Sequence, residues 1–320
     1  MKTATGLLKR HPANPLLSAS DLPAAKWVFN PSPALHDGKT VLLLSVIPEI
    51  PSEATDRRAN GQTYVARSED GVHFEIEQEP FIRLSEERFP FNRFSRHIID
   101  NRISKIDDTY YVLTPALCTG GFLCPVTVLG KTLDFRSYEP MSIIDYPQVR
   151  GTSLFPGRIS GKYCKLVRIG AGSDSRGEIW LGWSPDLVHW GDYMPLLAPG
   201  FAEWSELKIG PTPPVKTEDG WLELIHGVKK CSDGNHYHIG AMLLDLEEPW
   251  KILGKTQSCI MGPEEPYELD GHVPNTVFPC GILADESTDE VRLYYGAADT
   301  CIGLATGKLS DIIQACLDEI

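Results

Sequence analysis

The chain has 320 residues, of which 42% are hydrophobic and 23% are charged, a composition typical of a folded protein with a sizeable core. It carries 30 lysines and arginines against 43 aspartates and glutamates, a formal net charge of −13. This balance argues against a nucleic-acid or anionic-membrane surface, because phosphate groups need a basic face. Any bound anion must therefore be held by a local group of cations.

The beginning of the chain lacks the continuous apolar core of a signal peptide, because Lys9, Arg10 and His11 interrupt it. The longest apolar stretches, such as residues 41–44, are far too short to span a bilayer. The eight cysteines are scattered, without a Cys-x-x-Cys pair or a zinc-like spacing, which is typical of reduced thiols packed in a core. These features predict a cytoplasmic protein.

Short runs of β-branched and aromatic residues recur along the chain, each introduced by a turn. They cover residues 36–46, 106–116, 159–169, 218–228 and 288–298. Their starts are 70, 53, 59 and 70 residues apart, which is typical of four-stranded blades with variable loops. Five such units predict an all-β fold, a single five-bladed β-propeller domain over residues 1–320. Two packed β-sandwich domains are the alternative, which the even spacing disfavours.

A second pattern, an Asp ahead of an apolar anchor, follows most of these runs. It occurs at residues 66–74, 131–135, 183–190 and 306–312 and predicts a tight turn between the outer strands of a blade. Helical periodicity is nearly absent until residues 309–320, where Ser310 is expected to cap a short closing helix.

The propeller fold also predicts where functional residues lie. The innermost strands end around the axial funnel, so polar residues embedded in apolar strand ends are expected to converge there. The candidates are Asp100, Arg168, His226 and Asp299.

Two further patterns predict no function. Residues 170–177 superficially resemble a dinucleotide-binding loop, but a strand and not a helix follows them. His236 and His238 lie on one face of a predicted strand, which is compatible with metal binding. No partner cluster is identifiable in the sequence, which therefore predicts no metal site.

Several long segments together resemble glycoside hydrolase family 130, which consists mainly of β-mannoside phosphorylases with some β-1,2-mannosidases. The segments are IIDNRISKIDDTYYV, SLFPGRISGKY, KIGPTPPVKTEDGWLELIHGV, IGAMLLDLEEPWKIL and HVPNTVFPCG with LYYGAADTCIGLA. The resemblance extends from about residue 29 to residue 304 and implies a five-bladed propeller. It also implies inverting phosphorolysis of β-mannosides or manno-oligosaccharides to α-mannose 1-phosphate. Inorganic phosphate is then the co-substrate, no cofactor is needed, and a homo-oligomer is possible.

The resemblance implies that Asp100 is the general acid, acting through a sugar hydroxyl. The family pattern Glu-Asp-Pro-Arg-Ile is matched at Asp100 and Arg102, whereas Ile99 replaces the Glu and Asn101 replaces the Pro. Without the resemblance, a turn aspartate is the simpler interpretation.

The resemblance also implies a phosphate site. Its members are Arg150, Arg168, Lys208, His226 and Tyr237. A dianion needs several converging donors, and arginine can bind its oxygens in bidentate fashion. Each cation alone would more simply belong to a solvated salt bridge. Gly151 departs from the Asn or Asp usual in the family.

For the sugar, the resemblance implies contacts from Asp299 and Arg102 and an apolar wall at Phe278, while His272 stands where Asp is frequent. Ser45 replaces a family arginine, and Arg57 or Arg58, in the unusual insertion 47–62, is a candidate substitute for it.

Two alternatives stay open. An inverting β-1,2-mannosidase needs a base that activates water, and Glu203 or Glu206 could supply it. A non-catalytic sugar-binding propeller needs neither an acid nor a base.

Overall fold

The computed structural model describes residues 6–50, 60–119, 125–146, 148–170 and 176–318. Nearly all regular structure in these ranges is β-strand, arranged in five antiparallel sheets. The all-β prediction and the predicted number of blades are confirmed. No helix in the described ranges is long and apolar enough to cross a membrane.

The strands follow the chain blade by blade. Two short strands, β1 (Lys9–Arg10) and β2 (Leu17–Ser18), come first. Blade 1 contains β3 (Ala25–His36), β4 (Lys39–Pro48), β5 (Gln62–Ser68) and β6 (Glu75–Ile76). Blade 2 contains β7 (Arg102–Ile106), β8 (Thr109–Ala116), β9 (Val126–Thr132) and β10 (Glu139–Ile143). Blade 3 contains β11 (Val149–Ile159), β12 (Lys162–Ile169), β13 (Glu178–Ser184) and β14 (Gly191–Leu197).

The last two blades are less regular. Blade 4 contains β15 (Lys208–Pro211), β16 (Val215–Lys216), β17 (Trp221–Cys231), β18 (Gly234–Leu244) and β19 (Ile252–Lys255). A short helix, α1 (Pro266–Leu269), precedes blade 5. Blade 5 contains β20 (Val277–Pro279), β21 (Leu283–Asp285), β22 (Glu290–Ala297) and β23 (Cys301–Lys308), and α2 (Leu309–Asp318) follows it.

The beginning of the chain completes the last blade. Strand β1 pairs antiparallel with β23 and so becomes the outer strand of blade 5. Arg10 of β1 donates two hydrogen bonds of 2.8 and 2.7 Å to the buried Glu268 carboxylate. The same carboxylate accepts the Tyr295 hydroxyl at 2.8 Å, so a buried network ties β1 to blade 5. This pairing joins both ends of the propeller within one sheet.

The repeated runs of the sequence are the second strands of the blades, counted from the axis. These strands are mainly apolar on both faces because each blade packs between two others. In β4, Val41 and Leu43 belong to the apolar cluster between blades 1 and 2, whereas Leu42 and Leu44 belong to the cluster between blades 5 and 1. Successive side chains of a strand point to opposite faces, which explains the alternation. The expectation that functional residues come from innermost strands therefore needs correction for Arg168 and His226, which lie on β12 and β17.

Three of the four predicted turns join outer strands: they connect β5 to β6, β9 to β10 and β13 to β14. The fourth, residues 306–312, instead runs from β23 directly into α2. The predicted cap at Ser310 is wrong, because Ser310 lies inside the first turn of α2. Its backbone N–H donates to Asp289 at 2.7 Å, so a side chain from the β21–β22 connection binds the helix start.

A buried ion pair in blade 3 predicts a large stability effect. Lys165 and Asp145 are 0% and 2% exposed, and their charged atoms lie 2.5 Å apart. Lys165→Met leaves the Asp145 carboxylate buried without its cation, so we expect a loss of about 3–5 kcal/mol in the free energy of unfolding. Denaturant titration measures it. The matched control is Lys162→Met, which breaks an exposed pair with Asp192 and should cost no more than about 1 kcal/mol.

Candidate functional site

A cavity of about 290 Å³ lies where the inner strands of all five blades meet. It contains nine of the residues that the sequence analysis singles out. They are Asp100, Arg102, Arg150, Arg168, Lys208, His226, Tyr237, Phe278 and Asp299. The cavity is thus lined by three arginines and a lysine together with two carboxyl groups. It is locally basic although the net charge of the chain is −13.

Each innermost strand brings a residue to the cavity. Blade 1 contributes Asn30 from β3, and blade 2 contributes Arg102, the first residue of β7. Arg150 lies in β11 of blade 3, Lys208 begins β15 of blade 4, and Phe278 lies in β20 of blade 5. Residues far apart in the sequence therefore share one small volume because the blades converge on the axis.

Arg168 and His226 reach the cavity from second strands, past glycines of adjacent segments. His226 pairs with Gly210 of β15, and a Cβ atom at Gly210 would lie 2.2 Å from the imidazole. Arg168 pairs with Arg150 of β11. A Cβ atom at Gly177 would lie 3.0 Å from the Cδ of Arg168. The glycines are thus needed for space, and larger residues there would displace both side chains.

Asp100 is held by four contacts. Its Oδ1 accepts the Asn30 amide at 2.8 Å, and its Oδ2 accepts the Arg150 guanidinium at 3.1 Å. Its backbone N–H donates to the Ser45 hydroxyl at 2.9 Å, and its carbonyl accepts Arg102 at 2.9 Å. The residue has φ +57°, a left-handed conformation that Asp adopts more readily than most residues. The carboxyl group is 15% exposed, so it is oriented by protein and still faces the cavity.

The cations lie close enough to affect one another's pKa. Burial, followed by repulsion from Arg150, lowers the pKa of Arg168 to about 10. Burial, followed by Arg168 and Arg150, lowers the pKa of Lys208 to about 8. Burial, followed by Arg168, Arg102 and Lys208, lowers the pKa of His226 well below its usual value, so this imidazole is neutral at pH 7. The positive charges of Arg150, Arg168 and Lys208 therefore repel one another, and a bound anion would relieve that repulsion.

The hydrogen-bonding capacity of these cations is incompletely used. Arg150 pairs with Asp100, but within the described ranges neither Arg168 nor Lys208 forms an ion pair with a carboxylate. Arg168 Nη1 lies 3.4 Å from His226 Nε2, while Arg168 Nε and His226 Nδ1 are buried without a hydrogen-bond partner among the described residues. Leaving buried polar atoms without partners costs free energy.

Asp299 is the second carboxyl group of the cavity. Burial, followed by the nearby negative charge of Asp100, raises its pKa to about 7, while Arg150 and the Asn30 amide oppose the shift. Like Asp100, it has a left-handed backbone, with φ +52°. At neutral pH its carboxyl group can therefore both donate and accept hydrogen bonds, a combination suited to sugar hydroxyls.

Phe278 and Tyr237 form the aromatic side of the cavity. The Phe278 ring lies 4.6 Å from the His226 ring and 6.3 Å from the Tyr237 ring, measured between centroids. The Arg102 guanidinium carbon is 5.6 Å from the Phe278 centroid, and Lys208 Nζ is 5.3 Å from the Tyr237 centroid. An apolar ring beside polar groups is a common arrangement for binding a sugar ring.

Two of the predicted sugar-binding residues are not among those that line the cavity in the described part of the chain. Arg58 falls outside the described residues. His272 does not line the cavity: it is exposed and stacks on Trp27, with ring centroids 3.8 Å apart. Because Val273 does line the cavity, His272 is one residue from it.

The two proposed hydrolytic bases also lie outside the cavity. Glu203 is 84% exposed and forms an ion pair with Lys229, and Glu206 is exposed. Neither glutamate is therefore positioned to activate a water molecule inside the cavity.

Sequence reasoning missed Asn30 as a site residue and did not foresee the role of Ser45. Asn30 donates to Asp100, and Ser45 links the two segments by accepting the Asp100 N–H and donating to the Asn30 carbonyl at 3.3 Å. A Cβ at Gly296 would lie 1.9 Å from Asn30 Oδ1, so Gly296 leaves room for this amide. The one signal in the sequence is an Asn inside an apolar strand, which is weak without the fold.

The pKa of Lys208 predicts a pH dependence of anion binding. Lys208 is charged below its pKa of about 8 and neutral above it, so the cation group weakens as the pH rises. If the anion is phosphate, kcat/KM for phosphate should fall about tenfold between about pH 7 and pH 9. Asp299, with a pKa of about 7, and phosphate itself also titrate near this range, so the contribution of Lys208 is the part of the fall that an arginine at this position removes. Lys208→Arg should flatten the profile, because a guanidinium stays charged. A profile that is unchanged in Lys208→Arg would contradict the assignment.

Five blades surround an axial cavity that combines two carboxyl groups with several cations. The model of a family described as beta-1,4-mannooligosaccharide phosphorylase matches residues 9–318. The chain therefore belongs to glycoside hydrolase family 130, as its sequence segments indicate.

Individual relatives agree with this membership. A beta-1,4-mannooligosaccharide phosphorylase of Ruminococcus albus is 29% identical over 309 residues, 95% of this chain and 89% of the relative. A beta-1,2-mannobiose phosphorylase of Listeria innocua serovar 6a is 36% identical over 252 residues, 78% of this chain and 67% of the relative. A solved structure of beta-1,2-mannobiose phosphorylase from Listeria innocua, in complex with beta-1,2-mannobiose, has a TM-score of 0.85 and 30% identity, covering 98% of this chain and 99% of that one.

Proposed function

We propose that the protein is an inverting β-mannoside phosphorylase that cleaves a β-mannosidic bond with inorganic phosphate. The observation that carries the proposal is the convergence of Arg150, Arg168 and Lys208 on the cavity that contains Asp100. Both matched relatives described above are named mannoside phosphorylases, which supports the same activity. Phosphate is the proposed co-substrate, and the reaction needs no other cofactor.

In the proposed reaction, phosphate binds to Arg150, Arg168, Lys208, His226 and Tyr237. One phosphate oxygen bonds to the anomeric carbon while the bond from that carbon to the leaving oxygen breaks. Asp100 supplies the proton that the leaving oxygen takes up, through a sugar hydroxyl. Attack from the face opposite the leaving group inverts the anomeric carbon, so the products are α-mannose 1-phosphate and a shortened acceptor.

The ion pair between Arg150 and Asp100 couples the two substrates of this reaction. Its atoms lie 3.1 Å apart, so a phosphate that binds Arg150 competes with the Asp100 carboxylate for the same guanidinium. Phosphate binding therefore releases the carboxyl group to take up and deliver a proton. Asp299, Arg102 and Phe278 are left to bind the mannosyl ring beside it.

The hydrolytic alternative has less support. An inverting hydrolase needs a second carboxylate that activates water on the other face of the sugar. Glu203 and Glu206 are exposed outside the cavity, and Asp299 is the one further carboxyl group among the described lining residues. Phosphate needs no such base, because it is already a nucleophile at neutral pH.

The deciding experiment compares β-1,2- and β-1,4-mannobiose as substrates, each with and without phosphate. We expect α-mannose 1-phosphate and mannose in equal amounts with phosphate and no cleavage without it. Mannose release in phosphate-free buffer would contradict phosphorolysis and favour the mannosidase. No cleavage of either substrate under any condition would favour a sugar-binding propeller.

Two further expectations belong to this proposal. A cytoplasmic location suits phosphorolysis, because phosphate is abundant inside cells and a sugar phosphate is retained there. Association into a homo-oligomer, which the resemblance implies, stays a prediction.

A further inference from the structure

The hairpin between β17 and β18 brings three metal-binding side chains together at its tip. Cys231 ends β17, Asp233 lies in the turn, and His236 lies in β18. Lys229 pairs with His236 across the hairpin, so Cys231, two residues beyond Lys229, shares a face with His236. The thiol sulfur, a carboxylate oxygen and an imidazole nitrogen all lie within 4.8 Å of one another. We call these three residues the Cys231 cluster.

We propose that the Cys231 cluster binds one divalent transition-metal cation of the zinc class. A thiolate, an imidazole and a carboxylate are the ligands that Zn²⁺ takes in tetrahedral sites, with ligand bonds of about 2.0–2.3 Å. Magnesium and calcium prefer oxygen ligands alone, so the thiol selects against them. Because Asp233 is exposed, a water molecule can take the fourth position.

The thiol distinguishes this turn from two others in the chain. Asp70–His73 and Asp186–His189 form the same contact between an aspartate and a histidine three residues later, at 2.7 and 2.8 Å. The corresponding distance between Asp233 and His236 is 2.9 Å. An Asp–His contact alone therefore only supports a turn. Within the described part of the chain, the Cys231 cluster is the one group of three such ligands.

The remaining contacts of Asp233 suit a metal ligand. One carboxylate oxygen faces His236, and the other lies 3.5 Å from the Asn275 amide nitrogen. A metal-binding carboxylate commonly has such an outer partner, which fixes its orientation. Metal binding would replace the Asp233–His236 hydrogen bond with a bond from that imidazole nitrogen to the cation, and the Cys231 thiol would lose its proton to solvent as its sulfur binds.

The Cys231 cluster lies beside the catalytic cavity but outside it. Tyr237, next to His236 in β18, points from the opposite face of the strand into the cavity. Its backbone N–H donates to the Asn275 carbonyl at 2.9 Å, so Asn275 contacts both Tyr237 and Asp233. A bound cation would therefore fix the hairpin that carries Tyr237 without entering the reaction. The inference does not depend on the proposed phosphorolysis.

The test uses the full, reduced chain without an affinity tag and Co²⁺ as the probe. We expect one equivalent of Co²⁺ to bind and to produce a thiolate-to-cobalt charge-transfer band, which Zn²⁺ removes by displacement. Cys231→Ser should abolish the band, and His236→Ala should weaken binding at least about tenfold. The matched controls are Cys118→Ser, a half-buried thiol in blade 2, and His189→Ala, which breaks an Asp–His turn that lacks a thiol. Both controls should bind Co²⁺ normally.

A further variant distinguishes the loss of a metal ligand from misfolding of the hairpin. Asp233→Asn keeps a turn-forming side chain but removes the negative charge, so the hairpin should persist while Co²⁺ affinity falls at least about tenfold. Thermal unfolding with and without Zn²⁺ gives a second readout, and the metal should raise the Tm of the unmodified chain but not of Cys231→Ser. A charge-transfer band that survives Cys231→Ser, or no band in the unmodified chain, overturns the proposal.

Discussion

Asp100→Asn is expected to lower kcat for mannobiose phosphorolysis by about 10²–10⁴-fold, the usual contribution of a general acid. The amide cannot deliver a proton to the leaving oxygen, but it has nearly the shape of the carboxyl group. Asn also tolerates the left-handed backbone of this position, where φ is +57°. We therefore expect an intact fold and a KM for phosphate that is no higher than in the unmodified chain, because the neutral amide competes less with phosphate for Arg150, measured by steady-state formation of mannose 1-phosphate.

The matched control is Asp107→Asn, at the exposed turn between β7 and β8. Asp107 also has a positive φ, +53°, so the two variants make the same chemical change in the same backbone conformation. The control should keep the full rate. An aryl β-mannoside with a good leaving group needs little protonation, so Asp100→Asn should cleave it far better than mannobiose. Unchanged turnover of mannobiose by Asp100→Asn would exclude Asp100 as the acid.

Aspartates with a positive φ occur both in ordinary turns and in the cavity, and the sequence alone does not separate the two. Asp37, Asp100, Asp107 and Asp299 all have φ between +49° and +57°. Two of them belong to ordinary turns and two line the cavity, and their local sequences do not separate the two groups. The position of a carboxyl group on the propeller axis is a property of the whole fold. The family resemblance, and not local chemistry, selects Asp100 and Asp299 from the sequence.

The number of blades was predictable because the second strand of each blade, counted from the axis, is mainly apolar on both faces. Val41 and Leu42 must both be buried, since one faces the next blade and the other faces the previous one. A sequence run that is apolar on both faces therefore recurs once per blade. The innermost strands are shorter or interrupted by polar residues, so their runs are less visible, and the recurring runs mark the second strands instead.

Contacts between blades were not predictable. Asn30 lies in blade 1 and Asp100 directly before blade 2, 70 residues apart, and they meet because neighbouring inner strands converge. Glu203 shows the converse case, a residue that is close to a cavity residue in sequence but not in space. It lies five residues before Lys208, in a turn that directs its side chain to Lys229. Sequence proximity to a cavity residue is a poor guide where a strand begins, because the preceding turn can direct its side chains outward.

Arg168→Ala is expected to lower kcat/KM for phosphate by about 10²–10³-fold, the usual effect of removing one charged donor from a preorganised anion site. The loss should appear mainly as a higher KM for phosphate, because the Asp100 contacts stay in place. The fold should persist, since no carboxylate among the described residues forms an ion pair with Arg168 that would be left unpaired. Burial already lowers the pKa of this guanidinium to about 10, so its removal also relieves a desolvation cost.

Arg158→Ala is the matched control, because Arg158 is exposed in the same blade and donates only to the Gly161 and Pro185 carbonyls among its described hydrogen-bond partners. It should leave phosphate kinetics unchanged. Arg168→Lys should recover part of the loss, since an ammonium keeps the charge but not the bidentate geometry. If Arg168→Ala keeps normal phosphate kinetics while Asp100→Asn is inactive, the acid is correctly placed but phosphate binds elsewhere.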